Sequence, residues 1–180
     1  METSKFLKRV LADGGNYCLF AAKIGSPKRQ TFHNTVERLL SASSKLDNDG
    51  FDVYFGLGAF DDTGNRKAAS VTFMGSLFLD LDCGEGKAYA GAGEALSALN
   101  NFCKAVGMPQ PLMVHSGYGV HVYWPLTEPM SVAEWRPVAV ALKRACAENG
   151  LMIDNAVPAD AARVLRIPGS HNYKFNTSAS

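Results

Sequence analysis

An apolar run that ends in two aspartates one residue apart sets the strongest limit on how this chain can fold: Leu77-Phe78-Leu79-Asp80-Leu81-Asp82-Cys83-Gly84. Side chains alternate along a strand, so Asp80 and Asp82 share one face while Leu79 and Leu81 share the other. Two carboxylates projecting together from the end of a hydrophobic strand repel each other unless a cation lies between them. Mg²⁺ and Mn²⁺ prefer oxygen ligands, and paired carboxylates can hold one or two such ions against a substrate's phosphates. A strand that simply enters a polar turn before Gly84 carries the same residues, so Asp-x-Asp alone leaves both readings open.

The whole chain narrows the class. With 180 residues, 47% of them apolar, it suits one domain with a proper core. A formal net charge of +1 argues against a broad basic coat but leaves room for a local cationic cleft. Cys18, Cys83, Cys103 and Cys146 contain no Cys-x-x-Cys pair, which speaks against structural zinc and for free thiols in a reducing cytosol. No secretory h-region opens the chain and no apolar run is long enough to span a bilayer. The expectation is a cytoplasmic protein with no membrane partner.

Read in order, the apolar stripe Phe6, Leu7, Val10, Leu11 predicts a short helix over 4–11, stopped by Gly14-Gly15. Strands are expected over 17–24 and 52–57, with a basic loop at 26–30 and a helix over 35–46 between them. Arg66 and Lys67 sit in the loop 61–70, either as solvated charges or as a nucleic-acid contact beside the aspartates. The strand over 71–81 is long, and Gly75 marks a bulge or break in it. Gly84-Glu85-Gly86-Lys87 looks like part of a phosphate loop but lacks the full pattern, so a P-loop is rejected. A helix over 94–106 is expected to bury Leu96, Leu99, Phe102, Cys103 and Val106, with Gly107 and Pro109 at its exit.

Leu112-Met113-Val114 and Val120-His121-Val122-Tyr123-Trp124 read as two strands joined by the tight turn His115-Ser116-Gly117-Tyr118-Gly119. His121 and Tyr123 then face one way and Val120, Val122 and Trp124 the other. Glycines let backbone approach a ligand closely, so Ser116, Gly117 and His121 are candidates for an anion or nucleotide contact. A helix over 132–148 is expected on Ala133, Trp135, Val138, Ala141, Leu142 and Ala145, with Pro137 in its first turn or breaking it. Leu151-Met152-Ile153-Asp154 reads as a short strand ending in a carboxylate, with Asp160 six residues on. Beyond it, Arg163, Arg166, His171 and Lys174 place positive charge around a strand at 164–167, as in a phosphate pocket or a charged surface strand.

Three pieces stand in order: Phe78 to Asp82; Ser116 to Trp124; and Ile153-Asp154 followed by Arg163 to Ser170. This arrangement resembles the archaeo-eukaryotic primase superfamily, and within it the primase–polymerase domains of phages, plasmids and related mobile elements. Arg166-Ile167-Pro168-Gly169-Ser170-His171-Asn172-Tyr173-Lys174 matches the Arg-x-Pro-Gly-Thr-x-Asn-x-Lys continuation of the last motif, with Ser for Thr. The resemblance implies an α/β (α+β) fold: an RRM-like, mainly antiparallel catalytic sheet over 71–175, helices outside, and a smaller N-terminal α/β half over 1–70. It implies a single primase–polymerase catalytic domain over 1–180, compatible with a longer replication protein. Asp80 and Asp82 would bind two Mg²⁺ or Mn²⁺ ions, with Asp154 as third acid and Asp160 as runner-up. His121 would contact the incoming nucleotide's phosphates. Arg163, Arg166 and Lys174 would neutralise the triphosphate or grip the template. The implied partners are nucleoside triphosphates, single-stranded DNA template and primer, and a helicase domain or protein.

Two other classes compete. A replication-initiation or single-strand-binding module on the same fold would use the basic residues to grip a backbone. The aspartates speak against it, because without metal they repel phosphate. A glycosyltransferase with an Asp-x-Asp metal site leaves Ser116 to Trp124 and Arg166 to Lys174 unexplained.

Overall fold

The structure, a computed structural model, describes residues 1–173 and 177–179. It opens with helix α1 (Thr3–Val10), strands β1 (Asn16–Ala22) and β2 (Arg29–His33), helix α2 (Val36–Asn48) and strand β3 (Asp52–Phe60). A 3₁₀ turn, Ala68–Ser70, leads into β4 (Val71–Asp82). Helix α3 (Ala92–Val106), strands β5 (Leu112–His115) and β6 (Gly119–Ser131), and helix α4 (Val132–Glu148) follow. The end carries β7 (Val164–Arg166) and a ribbon of β8 (His171–Asn172) with β9 (Thr177–Ser178). Seven strands form one sheet in the order β2-β1-β3-β4-β6-β5, with β7 joined to β3. Among the described residues every strand pair is antiparallel.

The central strand is β4, whose Leu77, Phe78, Leu79 and Leu81 are buried. It pairs with β6 in a register that sets Asp80 opposite His121 and Asp82 opposite Gly119. Gly75 marks the expected irregularity, and its role is steric. A Cβ there would lie 2.5 Å from Ala12 N and from Leu11 C, so the end of α1 packs directly onto β4. Two of the helices, α2 and α4, begin on side-chain caps. Thr35 Oγ1 accepts from Arg38 N, and Ser131 and Glu134 form a reciprocal capping box at the start of α4. All four cysteines are free and buried. Among the described residues no helix is long and apolar enough to cross a membrane.

Several expectations need correction. The segment 26–30 is not all loop: β2 starts at Arg29 as an edge strand whose Arg-Gln-Thr-Phe-His sequence has no period-2 apolar signal. The return strand β6 is longer than 120–124, running to Ser131. Pro137 lies inside α4 and does not break it; it is exposed, so water can reach the carbonyl its missing N–H leaves free. The buried stripe of α4 is Trp135, Ala139, Leu142 and Cys146, while Ala133, Val138 and Ala141 face solvent. In α3 Ala95, not Leu96, faces the core. Leu151 to Asp154 is no strand; its tie to β4 is a bond from Asp154 N to Asp80 O at 2.9 Å.

Candidate active site

The end of β4 and the β5–β6 turn form one wall of a cleft of about 350 Å³, and β3, β7 and the segment before β7 form the other. Asp80, Asp82, Ser116, His121, Arg163 and Arg166 all line it. The Asp80 side chain is 20% exposed and that of Asp82 47%. Burial pushes the Asp80 carboxyl up to about 7, and the Asp82 and Asp154 carboxylates push it the same way. Arg163 and Lys87 pull against them without prevailing. Asp82 is met by Lys87 Nζ at 3.1 Å.

His121 sits across from Asp80 by register, its Nε2 at 3.8 Å from Asp80 Oδ1. That is beyond hydrogen-bond length, and burial lowers the His121 pKa to about 3, so the pair is a neutral imidazole beside a carboxyl and not an ion pair. Among the described residues His121 Nδ1, which is buried, has no hydrogen-bond partner. The turn that presents His121 is tightly tied. Ser116 N donates to Gly119 O, Gly117 at φ 100° donates to His115 Nδ1, and Cys83 N donates to Tyr118 O. A Cβ on Gly119 would lie 2.6 Å from Leu81 O, so only glycine lets β6 approach β4 here.

The two candidate third acids have different surroundings. Asp154 acts electrostatically on Asp80, and its Oδ1 accepts from Ala156 N at 2.9 Å. Asp160 caps Ala162 N at 3.0 Å and lies 3.4 Å from Arg163 Nε. Neither lines the cleft. Arg166 does line it, yet its Nη1 donates to Asp52 Oδ1 at 2.8 Å and to His171 O at 2.7 Å, and its Nη2 to Tyr54 OH at 3.1 Å. Arg66 lies apart from the carboxylates and donates to Ala162 O, Lys67 beside it is exposed, and Lys174 falls outside the described residues.

A hard divalent cation suits the Asp80–Asp82 pair, because it would relieve the repulsion that raises Asp80. Among the described residues, however, no three His, Cys, Asp or Glu side chains are gathered as a ready metal site. Sequence reasoning missed Tyr54, Tyr118 and Asn172 in the cleft lining and Asp52 behind it. Asn172 lies in the Arg166 to Lys174 run and donates to Ser116 O at 3.2 Å, tying that run to the turn. Asp52 and Tyr54 share a face of β3 by the same alternation that pairs Asp80 with Asp82, and that signal was available.

No family model matches the sequence, and no curated protein matches it. Solved structures do match. The AEP domain of the cyanophage S-2L primase–polymerase superposes with a TM-score of 0.65 at 19% identity, covering 92% of this chain and 80% of that one. The primase RepB′ gives 0.64 at 14% identity, over 98% of this chain and 53% of that one. The polymerase domain of Ligase D from Mycobacterium tuberculosis, solved in complex with DNA, gives 0.56 at 14% identity, over 99% and 78%. The likeness is one of fold: this chain has the archaeo-eukaryotic primase-type fold.

Proposed function

From this fold and this cleft, we propose that the protein is a DNA primase–polymerase catalytic domain. It would join a nucleotide from a nucleoside triphosphate to a 3′-hydroxyl, or to an initiating nucleotide, on a single-stranded DNA template. The observation that supports the reading is the pair Asp80 and Asp82, with Asp80 set opposite His121, in a cleft that also holds Arg163. Asp80 and Asp82, with Asp154 as third acid, would hold Mg²⁺ or Mn²⁺. Two such ions would supply Lewis acidity for the attack of the hydroxyl and the departure of pyrophosphate.

The chain's own residues have separate tasks in this reading. Asp80, with a pKa of about 7, holds a proton for part of the time at neutral pH and gives it up when positive charge enters the cleft. His121 stays neutral, so it can offer one N–H to a phosphate oxygen without adding a charge that would compete with the carboxylates. Ser116 lines the same cleft with its hydroxyl, while Gly117 shapes the turn and donates its N–H to His115 Nδ1. Arg163 adds positive charge near the carboxylates, suited to the triphosphate.

A non-catalytic single-strand-binding module on the same fold is the second reading, favoured by one contact: Lys87 already meets Asp82. Incubation with primed and unprimed single-stranded DNA, labelled nucleotides and Mg²⁺ or Mn²⁺ separates the two. Metal-dependent incorporation by the wild type, abolished in folded Asp80→Ala and Asp82→Ala variants, is the expected result. Incorporation by the folded double variant, or none by the wild type, overturns the proposal.

A further inference from the structure

The open face of the N-terminal strands carries a row of side chains that the chemistry at Asp80 leaves unexplained. Register fixes the row: Gln30 lies opposite Phe20, Phe20 opposite Tyr54, and Tyr54 opposite Arg166. Directly opposed residues share a face. The Phe55 side of β3 is the covered one, where Phe6 of α1 meets the Phe55 ring at 6.3 Å. On the open side Phe20 and Tyr54 are half-buried with ring centroids 6.1 Å apart, and Gln30 is exposed at the outer end. The inner end of the row is the cleft itself, because Tyr54 and Arg166 line it together with Asp80.

Arg66 reaches across this row from the loop between β3 and β4. Its guanidinium lies 5.2 Å over the Phe20 ring, its Nε donates to Gln30 Oε1 at 3.3 Å, and its Nη1 donates to Ala162 O at 2.7 Å. Its Nη2 takes part in neither bond. No carboxylate among the described residues forms an ion pair with it. A guanidinium stacked and hydrogen-bonded in place, with its charge uncompensated, is a preformed seat for a phosphate.

We infer that this row is a track along which single-stranded nucleic acid enters the cleft, with bases stacked on the guanidinium planes that cover the rings, Arg66 over Phe20 and Arg166 4.9 Å over Tyr54, and a backbone phosphate on Arg66 Nη2. Interleaved aromatic and cationic groups suit an unpaired strand, whose every base offers a π-face and whose every linkage a charge. A duplex keeps its bases stacked away from such a surface. Continuity of the row with the Asp80 cleft gives the strand its destination. That the strand is a template rests on the proposed function; the binding itself needs neither metal nor catalysis.

The test is fluorescence anisotropy of the full chain with a labelled oligothymidylate of about 16 nucleotides, without divalent metal or nucleotide. Phe20→Leu is expected to weaken binding about tenfold and to leave its salt dependence unchanged, whereas Phe20→Tyr keeps affinity. Arg66→Gln is expected to weaken binding and to reduce the slope of log affinity against log salt by about 0.7, one phosphate contact on a single strand. Arg144→Gln on the exposed surface of α4 serves as the control and changes nothing. Melting curves identify a variant that fails to fold, and Arg66→Gln and Phe20→Tyr decide if Phe20→Leu does so. Binding by Phe20→Leu and Arg66→Gln within about twofold of wild type overturns the track and leaves the Asp80 and Asp82 test of function standing. Phe20-dependent binding by a chain without incorporation would support the track and overturn only the catalytic reading.

Discussion

Two charged regions meet at the cleft, and they are built on opposite principles. Around Arg166 the charge is partnered: Asp52, Tyr54 and the His171 carbonyl accept three hydrogen bonds from the guanidinium. Just beyond, Asp47 accepts from His171 N and lies 3.0 Å from His171 Nδ1, and Tyr173 N donates to Asp52. Around Asp80 the reverse holds: carboxylates crowd one another, and the buried His121 Nδ1 has no partner among the described residues. Satisfied charge fixes a conformation, while unsatisfied buried charge costs stability and is kept where a ligand will complete it. The first region is a latch that holds the 166–173 segment in place. The second is the part of the cleft that a divalent cation would complete in the proposed function.

The largest effect is expected from breaking the latch. Arg166→Ala leaves the partly buried Asp52 without its counter-charge and removes a buried guanidinium, which costs about 3 kcal/mol of stability. In a domain of this size that lowers the melting temperature by roughly 10 °C. A variant that melts like wild type would show that the pair is no latch.

Removing charge from the other region should act with the opposite sign. The Asp80 carboxyl is raised from 3.8 to about 7, so the folded state holds an extra proton between those values. Stability of the metal-free protein therefore falls as pH rises through that window and stays low above it. Asp80→Asn removes the penalty and should stabilise the metal-free protein at pH 8 by on the order of 2–4 kcal/mol, with little gain near pH 4. Thermal melts at the two pH values check it, and a loss of stability at pH 8 would contradict the crowding described above.

The smallest effect separates Asp154 from Asp160. Asp160→Asn loosens the cap at Ala162 and its pairing with Arg163 and should cost about 1 kcal/mol, with part of the activity retained. Asp154→Asn should leave folding nearly unchanged, since it removes a charge that repels Asp80, and yet lose metal-dependent incorporation severely. Paired melting and activity measurements decide between them, and the reverse pattern would make Asp160 the third ligand.

Much of this was legible in the sequence because it is local. The alternation in Leu77 to Asp82 and in Val120 to Trp124 places Asp80 and His121 on chosen faces, and antiparallel pairing then sets them opposite each other. Four helices follow from apolar stripes, although the stripe of α4 was displaced because alanines at 133 and 141 carry little positional signal. What was hidden is non-local. Arg166 meets Asp52 across 114 positions and His171 meets Asp47 across 124, and no spacing rule connects such residues. The strand expected at Leu151 to Asp154 failed for a related reason: an apolar run becomes a strand only where a neighbour offers a ladder, and here β4 offers it the Asp80 carbonyl.

The most direct test of the central claim is a Mn²⁺ titration of the purified protein, followed by electron paramagnetic resonance at pH 6 and pH 8, with and without a nucleoside triphosphate. The account predicts binding that tightens towards pH 8, where the Asp80 carboxyl, with its pKa of about 7, has lost its proton, and that disappears in the Asp80→Asn/Asp82→Asn variant. Equal binding by the double variant, or no binding by the wild type even with nucleotide present, would contradict it.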